Sequence, residues 1–372
     1  MADRIDRLRV IRIESPIAMR RAQGSGTIAA AVSRVIVRIA TADGLEGLGE
    51  AALWAPFGNT ADTTAAALDG PLRGVLLGAD PQRIAALAAA MDHALLGHPE
   101  AKAAAEMALW DIAGKRAGSA VNALIGGAVR QTVPLSFSIA DPDFEADLDR
   151  ARALAAEGVR LFKVKTGFAG ETEDLRRLRL LREAVPEAEL RADFNQGLAP
   201  HQAMRICRAL DGLGLGFIEQ PVARGCEAVL AALTAALDTP VMADESVYSA
   251  AEMLACARGA WADCVSIKLA KAGGILAARA ADSVAAAAGL ATYGGTLWEG
   301  GIALAAAAHV IAASPNMSLG CEFYMPRYVL ARDVTAEPFP YAAGAVRVPT
   351  GPGLGVMLDE DALRAQTVAE RG

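Results

Sequence analysis

Six charged residues recur at intervals that suit proton transfer beside a bound cation. Lys163 and Lys165 lie two apart in Leu161-Phe162-Lys163-Val164-Lys165. On a strand such residues face the same way, so the two ammonium groups would project together. Taken alone, the stretch fits an exposed edge strand as well as a buried pair, because ammonium groups are rarely buried. Downstream, Asp193, Glu219 and Asp244 each close a strand-like run: Arg191-Ala192-Asp193, Phe217-Ile218-Glu219 and Met242-Ala243-Asp244. Lys268 closes a fourth, Val265-Ser266-Ile267-Lys268.

Three carboxylates in one concavity repel unless a cation sits among them. The four histidines (93, 98, 201, 309) and five cysteines (207, 226, 256, 264, 321) are dispersed and form no zinc pattern, which leaves oxygen ligands. An all-oxygen set with room for water and substrate suits Mg2+ on Asp193, Glu219 and Asp244. Lys165, one strand before the carboxylates, and Lys268, one strand after, would flank a substrate carbon from opposite sides. Lys163 and the dication would lower the pKa of Lys165 towards neutrality, as a lysine general base requires. The metal would bind a substrate carboxylate and stabilise the enediolate left when the α-proton departs. Asn195 either caps the next helix or points inward with Asp193. Glu245 is either a second buried carboxylate or a solvated loop residue.

The spacing of these residues points to the scaffold. The intervals from Lys165 to Asp193, Glu219, Asp244 and Lys268 are 28, 26, 25 and 24 residues. Such a unit holds one strand, one helix and short loops. Strand candidates fall at 133–138, 161–165, 189–193, 216–219, 240–244, 264–268, 290–294 and 317–322, with Ala-rich helical segments between most of them. Eight strands of this kind predict a parallel (β/α) barrel, whose C-terminal mouth gathers the strand ends. A doubly wound sheet is the competitor, but no phosphate-binding glycine fingerprint follows the first strand.

Before the barrel, alternation over 5–13, 32–40 and 45–51 predicts an antiparallel meander with a hairpin at Ala42-Asp43-Gly44. Residues 15–30 read as a mobile loop, and 60–118 as helical, most clearly over Ala101 to Lys115. The expected organisation is an α+β capping domain over 1–128, a barrel over 129–322, and a tail over 323–372 that packs back on the first lobe.

With 372 residues, 53% hydrophobic and 21% charged, the chain is long enough for two lobes with ample core. No uninterrupted apolar run of membrane-spanning length occurs. A net charge of −7 without a basic patch argues against nucleic acid or an anionic membrane as partner. The stretch from Met1 to Arg7 lacks the apolar core of a signal peptide. The odd, scattered cysteines read as buried small hydrophobes in a reducing cytoplasm.

Together these motifs resemble the enolase superfamily and, within it, the muconate-lactonizing-enzyme (muconate cycloisomerase) subgroup. The resemblance spans nearly the whole chain. It runs from Asp43-Gly44 to Gly49-Glu50-Ala51, through Ala101-Lys102 to Asp111 and Gly114-Lys115-Arg116, to Lys163-Val164-Lys165. It continues through Asp193, Glu219, Asp244, Lys268 and Lys271-Ala272-Gly273-Gly274. Leu290 to Gly301, Gly320-Cys321-Glu322 and Pro349 to Gly355 complete it.

The resemblance implies a (β/α)7β barrel under an α+β cap completed by the C-terminal tail. It also implies Mg2+ or Mn2+ on Asp193, Glu219 and Asp244, acid/base lysines at Lys165 and Lys268, and Glu299 at the barrel mouth. No histidine lies between His201 and His309, which disfavours the mandelate-racemase branch and its His-Asp dyad. Trp54 and Trp298 stand where aliphatic residues are expected, and with Asn195 they are candidate substrate contacts. Near the mouth, two indoles could narrow the pocket, stack on an unsaturated acid or hold an ammonium group; Trp298 is equally suited to the core.

The expected reaction is cycloisomerisation of a cis,cis-muconate-like dicarboxylate. Racemisation or epimerisation of an N-acyl amino acid, dipeptide or betaine would use the same parts. A Schiff-base aldolase would use Lys165 but leave the three carboxylates unexplained. The expected partners are a small carboxylate substrate and further copies of the chain.

Overall fold

The computed structural model describes residues 4–23, 26–28 and 30–372. Met1 to Asp3, from the N-terminal stretch discussed above, and Gly24, Ser25 and Ala29, from the expected 15–30 loop, lie outside the described residues.

The chain opens with three antiparallel strands, Ile5–Pro16, Ala31–Thr41 and Glu46–Ala52. The last strand of the tail, Thr367–Arg371, pairs with the first of them and completes a four-stranded sheet. The segment expected to be a loop carries two short strands, Arg21–Gln23 and Gly26–Ile28, paired antiparallel. The helix Pro99–Ala117 crosses the Glu46–Ala52 strand at very short range. Gly47 and Gly49 permit this: a Cβ there would stand 2.0 Å from the Ala108 carbonyl oxygen and 1.8 Å from that of Ala104. Asp111 on the same helix accepts hydrogen bonds from Leu48 N–H and Leu354 N–H, tying hairpin and tail together.

The second sheet is parallel and has seven strands: Ser136–Ile139, Leu161–Lys165, Glu189–Asp193, Ile218–Glu219, Val241–Ala243, Cys264–Ile267 and Ala291–Gly294. They neighbour one another in sequence order, as a barrel requires. The eighth strand expected over 317–322 is not a regular strand. Gly320 takes the left-handed conformation (φ +87°), which interrupts the extended run. Cys321 still closes the ring, bridging in parallel to Leu135 on one side and Gly294 on the other. The fold is thus a (β/α)7β barrel under an α+β cap that the tail completes.

A buried ionic clamp fixes the cap to the barrel. Arg34 is fully buried; its Nη1 donates to Glu50 (2.7 Å) and Asp333 (3.0 Å), and its Nε and Nη2 to the Ser15 hydroxyl. Glu50 accepts the N–H groups of Gly300 (2.7 Å) and Ala303 (3.0 Å), and Asp333 accepts that of Gly301 (2.7 Å). Three strands and the tail therefore hold the first turn of helix Gly301–Ala313, which directly follows Trp298 and Glu299. Arg34→Met would leave two buried carboxylates without their cation. A loss of about 3–5 kcal/mol in urea unfolding is expected.

All five cysteines are free thiols; four are buried, whereas Cys226 is half-buried. Among the described residues no helix is long and apolar enough to cross a membrane.

Candidate active site

Alternation on the barrel strands turns every second residue inward. Lys163 and Lys165 both point into the barrel and are 1% and 6% exposed, so the edge-strand alternative is ruled out. Lys165 Nζ donates to Asp193 Oδ2 (2.5 Å) and Asn195 Oδ1 (3.0 Å). Lys163 Nζ lies between Glu219 Oε2 (2.7 Å) and Asp193 Oδ2 (3.2 Å), and also pairs with Glu322. Across the mouth, Lys268 Nζ donates to Asp244 Oδ2 (2.5 Å). Lys271 Nζ reaches Asp244 Oδ1 (2.8 Å) and the carbonyls of Asp244 and Ser266.

The protonation pattern follows from these contacts. Burial alone would raise Asp193 and Asp244, yet their lysines hold both below the usual carboxylate range. Glu219 is pushed up, first by burial and then by Asp193 and Asp244 beside it. Lys268 is raised despite burial because Asp244 faces it. Lys163 is also raised, with Glu219 and Asp193 outweighing its burial.

Asn195 points inward and does not cap a helix. Its residue has φ +42°, its N–H donates to Asp193 Oδ1 (2.9 Å), and the next helix, Pro200–Asp211, is capped at Ala199. Glu245 is buried rather than solvated. Its Oε1 accepts a long 3.4 Å bond from Asn195, and its Oε2 has no partner. Burial and then Asp244 push its carboxyl up to about 8.

Trp54 and Trp298 both line the cavity, edge to face with centroids 5.7 Å apart. Trp298 is 4% exposed and also packs into the main core, so it serves both settings. Glu299 lies just beyond the seventh barrel strand, within electrostatic reach of Lys268. Its carboxylate folds back to accept the Leu297 N–H, in the turn that leads into helix Gly301–Ala313. Burial there raises it to about 7.

Three residues of the site escaped the sequence reading of roles. Glu322 pairs with Lys163 and lines the cavity with Tyr324. The signal for Glu322 was available, since it closes the last strand candidate as the other carboxylates close theirs. Lys271 lies on a single helical turn, Leu269–Ala272, where spacing alone does not mark it.

Among the described residues no three Asp, Glu, His or Cys side chains converge closely enough to hold a metal ion. The carboxylates are drawn instead to lysines. The donor set nevertheless fits a hard divalent cation. It is all oxygen, Asp193 and Asp244 lie close enough to Glu219 to raise it, and the partnerless Glu245 Oε2 is buried beside them. The Lys163 ammonium between Asp193 and Glu219 already places positive charge where they meet.

Comparison with known proteins agrees with this geometry. Residues 8–126 match the family "Mandelate racemase / muconate lactonizing enzyme, N-terminal domain", and residues 146–362 match "Enolase C-terminal domain-like". A chloromuconate cycloisomerase of Cupriavidus necator is 35% identical over 344 residues, covering 91% of this chain and 92% of that one. The crystal structure of a muconate cycloisomerase from Azorhizobium caulinodans is 47% identical, with a TM-score of 0.86 over 98% of this chain and 99% of that one. An N-succinyl Arg/Lys racemase from Bacillus cereus superposes with a TM-score of 0.94 at 29% identity, over 99% of both chains. The chain belongs to the mandelate racemase/muconate lactonizing enzyme family of the enolase superfamily, as a muconate-cycloisomerase-like enzyme.

Proposed function

We propose that the chain is a metal-dependent cycloisomerase acting on a cis,cis-muconate-like dicarboxylate. The observation that carries this reading is the pair of lysines, Lys165 and Lys268, ion-paired in one cavity, and the likeness to chloromuconate and muconate cycloisomerases favours ring closure over racemisation. Asp193, Glu219 and Asp244 would hold Mg2+ or Mn2+, which when bound supplies positive charge for the substrate's proximal carboxylate.

The remaining chemistry belongs to the chain's own side chains. An oxygen of the substrate's distal carboxylate adds to a double-bond carbon, and the displaced electron pair moves toward the proximal carboxylate. Lys165 then delivers a proton to the enolate carbon, which closes the balance of an isomerisation with one proton taken up. Asn195 and Asp193 fix Lys165 Nζ for that delivery. Lys268 adds positive charge from the far wall. Lys163, locked between Glu219, Asp193 and Glu322, keeps a permanent positive charge beside Lys165. The two tryptophans shield the site from water and flank a planar diene. On this reading residues 1–128 and 323–372 cap the barrel of 129–322, and the free thiols suit a cytoplasmic setting.

The racemase alternative keeps specific support: the same opposed lysines would serve 1,1-proton transfer, and a racemase is among the structural relatives. Following the ultraviolet absorbance of muconate separates the two. Loss of absorbance with metal present is expected. Unchanged absorbance at saturating muconate, with deuterium entering the α-position of N-acyl amino acids in D2O, would reverse the assignment.

A further inference from the structure

A carboxylate of the capping lobe is buried against the barrel at the turn that follows Lys268. Glu106, on the helix Pro99–Ala117, is 1% exposed. Its Oε1 accepts the N–H of Leu276 and the indole N–H of Trp110, each at 3.0 Å. Burial pushes its carboxyl up to about 7, against the hydrogen bonds from Leu276, Trp110 and Ile275. Ile275 and Leu276 open the helix Ile275–Ala287, so Glu106 accepts N–H groups that have no partner within that helix. Its other oxygen lies against Gly274, where a Cβ would overlap it.

Lys268 and Gly274 are joined by a single helical turn, Leu269–Ala272. Ala272 N–H donates to the Lys268 carbonyl (2.9 Å), and the N–H groups of Gly273 and Gly274 both donate to that of Leu269 (3.0 and 3.1 Å). The turn packs on the helix that carries Glu106. It holds Lys271, which shares the Asp244 carboxylate with Lys268. Displacing the far end of so short a turn therefore shifts both ammonium groups against Asp244.

We propose that Glu106 is a positioning residue for Lys268: from the capping lobe it anchors the start of helix Ile275–Ala287 and so sets the Lys268–Gly274 turn. The strand Cys264–Ile267 fixes Lys268 from one side, and Glu106 fixes it from the other. This part of the barrel mouth is thus completed only with the capping lobe docked. The proposal rests on the cycloisomerase reading only for the use to which Lys268 is put.

Hydrogen exchange followed by mass spectrometry tests the anchor without turnover. In Glu106→Ala, peptides covering 268–276 should exchange about tenfold faster, with the strand Cys264–Ile267 unchanged. Glu106→Gln keeps one acceptor oxygen and should lie between alanine and wild type; it carries the test if Glu106→Ala does not fold. Muconate turnover then tests the consequence. Glu106→Ala should lower kcat about tenfold to a hundredfold while KM changes far less. Added to Lys268→Ala, it should cost less than about threefold, because the residue it positions is already gone. Unchanged exchange over 268–276, acceleration spread over the whole chain, or an equal kcat loss in the Lys268→Ala background overturns the proposal. Local acceleration in an enzyme whose wild type leaves muconate untouched upholds the anchor and refutes only the cycloisomerase reading.

Discussion

Replacing Lys165 with alanine is expected to lower kcat by about 10²–10⁴, the usual contribution of a positioned acid or base. The ammonium is fixed by two acceptors, Asp193 and Asn195. Lys163 reaches Asp193 as well, but it also donates to Glu219 at 2.7 Å and pairs with Glu322. It is therefore poorly placed to substitute. The fold should tolerate the change, because Asp193 keeps the Lys163 contact at 3.2 Å and the Asn195 N–H at 2.9 Å. Circular dichroism and the unfolding midpoint should stay close to wild type while turnover disappears. KM should change less than kcat if the lysine acts mainly in the transition state. Retained wild-type kcat would remove Lys165 from the mechanism.

Lys165 was legible in the sequence because strand geometry is local. Two-residue alternation turns Lys163 and Lys165 to one side, and a 25-residue repeat brings successive strand ends to one rim. Leu161–Lys165 and Glu189–Asp193 coincide with their expected spans for this reason. The last barrel position was less legible, since it depends on a glycine conformation and on single-residue bridges that carry no periodic signal. Long-range pairing is harder still. Arg34 and Asp333 are 299 residues apart, and nothing near either predicts that they meet. The direction of the Glu299 carboxylate is hidden for a related reason: a nearby backbone N–H captures it. The stacking of Arg21 on Tyr324 likewise appears only once the cap is folded onto the barrel.

Asp244→Asn, together with metal removal, tests the other half of the site. Asp244 is the shared counter-charge of two buried lysines, with Nζ distances of 2.5 Å to Lys268 and 2.8 Å to Lys271. Neutralising it leaves two ammonium groups against an amide, and a stability loss of about 3 kcal/mol is expected from uncompensated buried charge. That cost is separable from function by metal readout. Treatment of the wild type with a chelator should abolish turnover, and Mg2+ or Mn2+ should restore it. Mn2+ titration of Asp244→Asn below its unfolding midpoint should show weakened binding, because one of three anionic donors is gone. Raising the metal concentration should then recover little activity, since Lys268 has lost the partner that fixes it. Full turnover in the chelated wild type would defeat the assignment of all three carboxylates. Normal Mn2+ affinity in the variant would instead exclude Asp244 alone and shift the ligand role to the partnerless oxygen of Glu245 beside it.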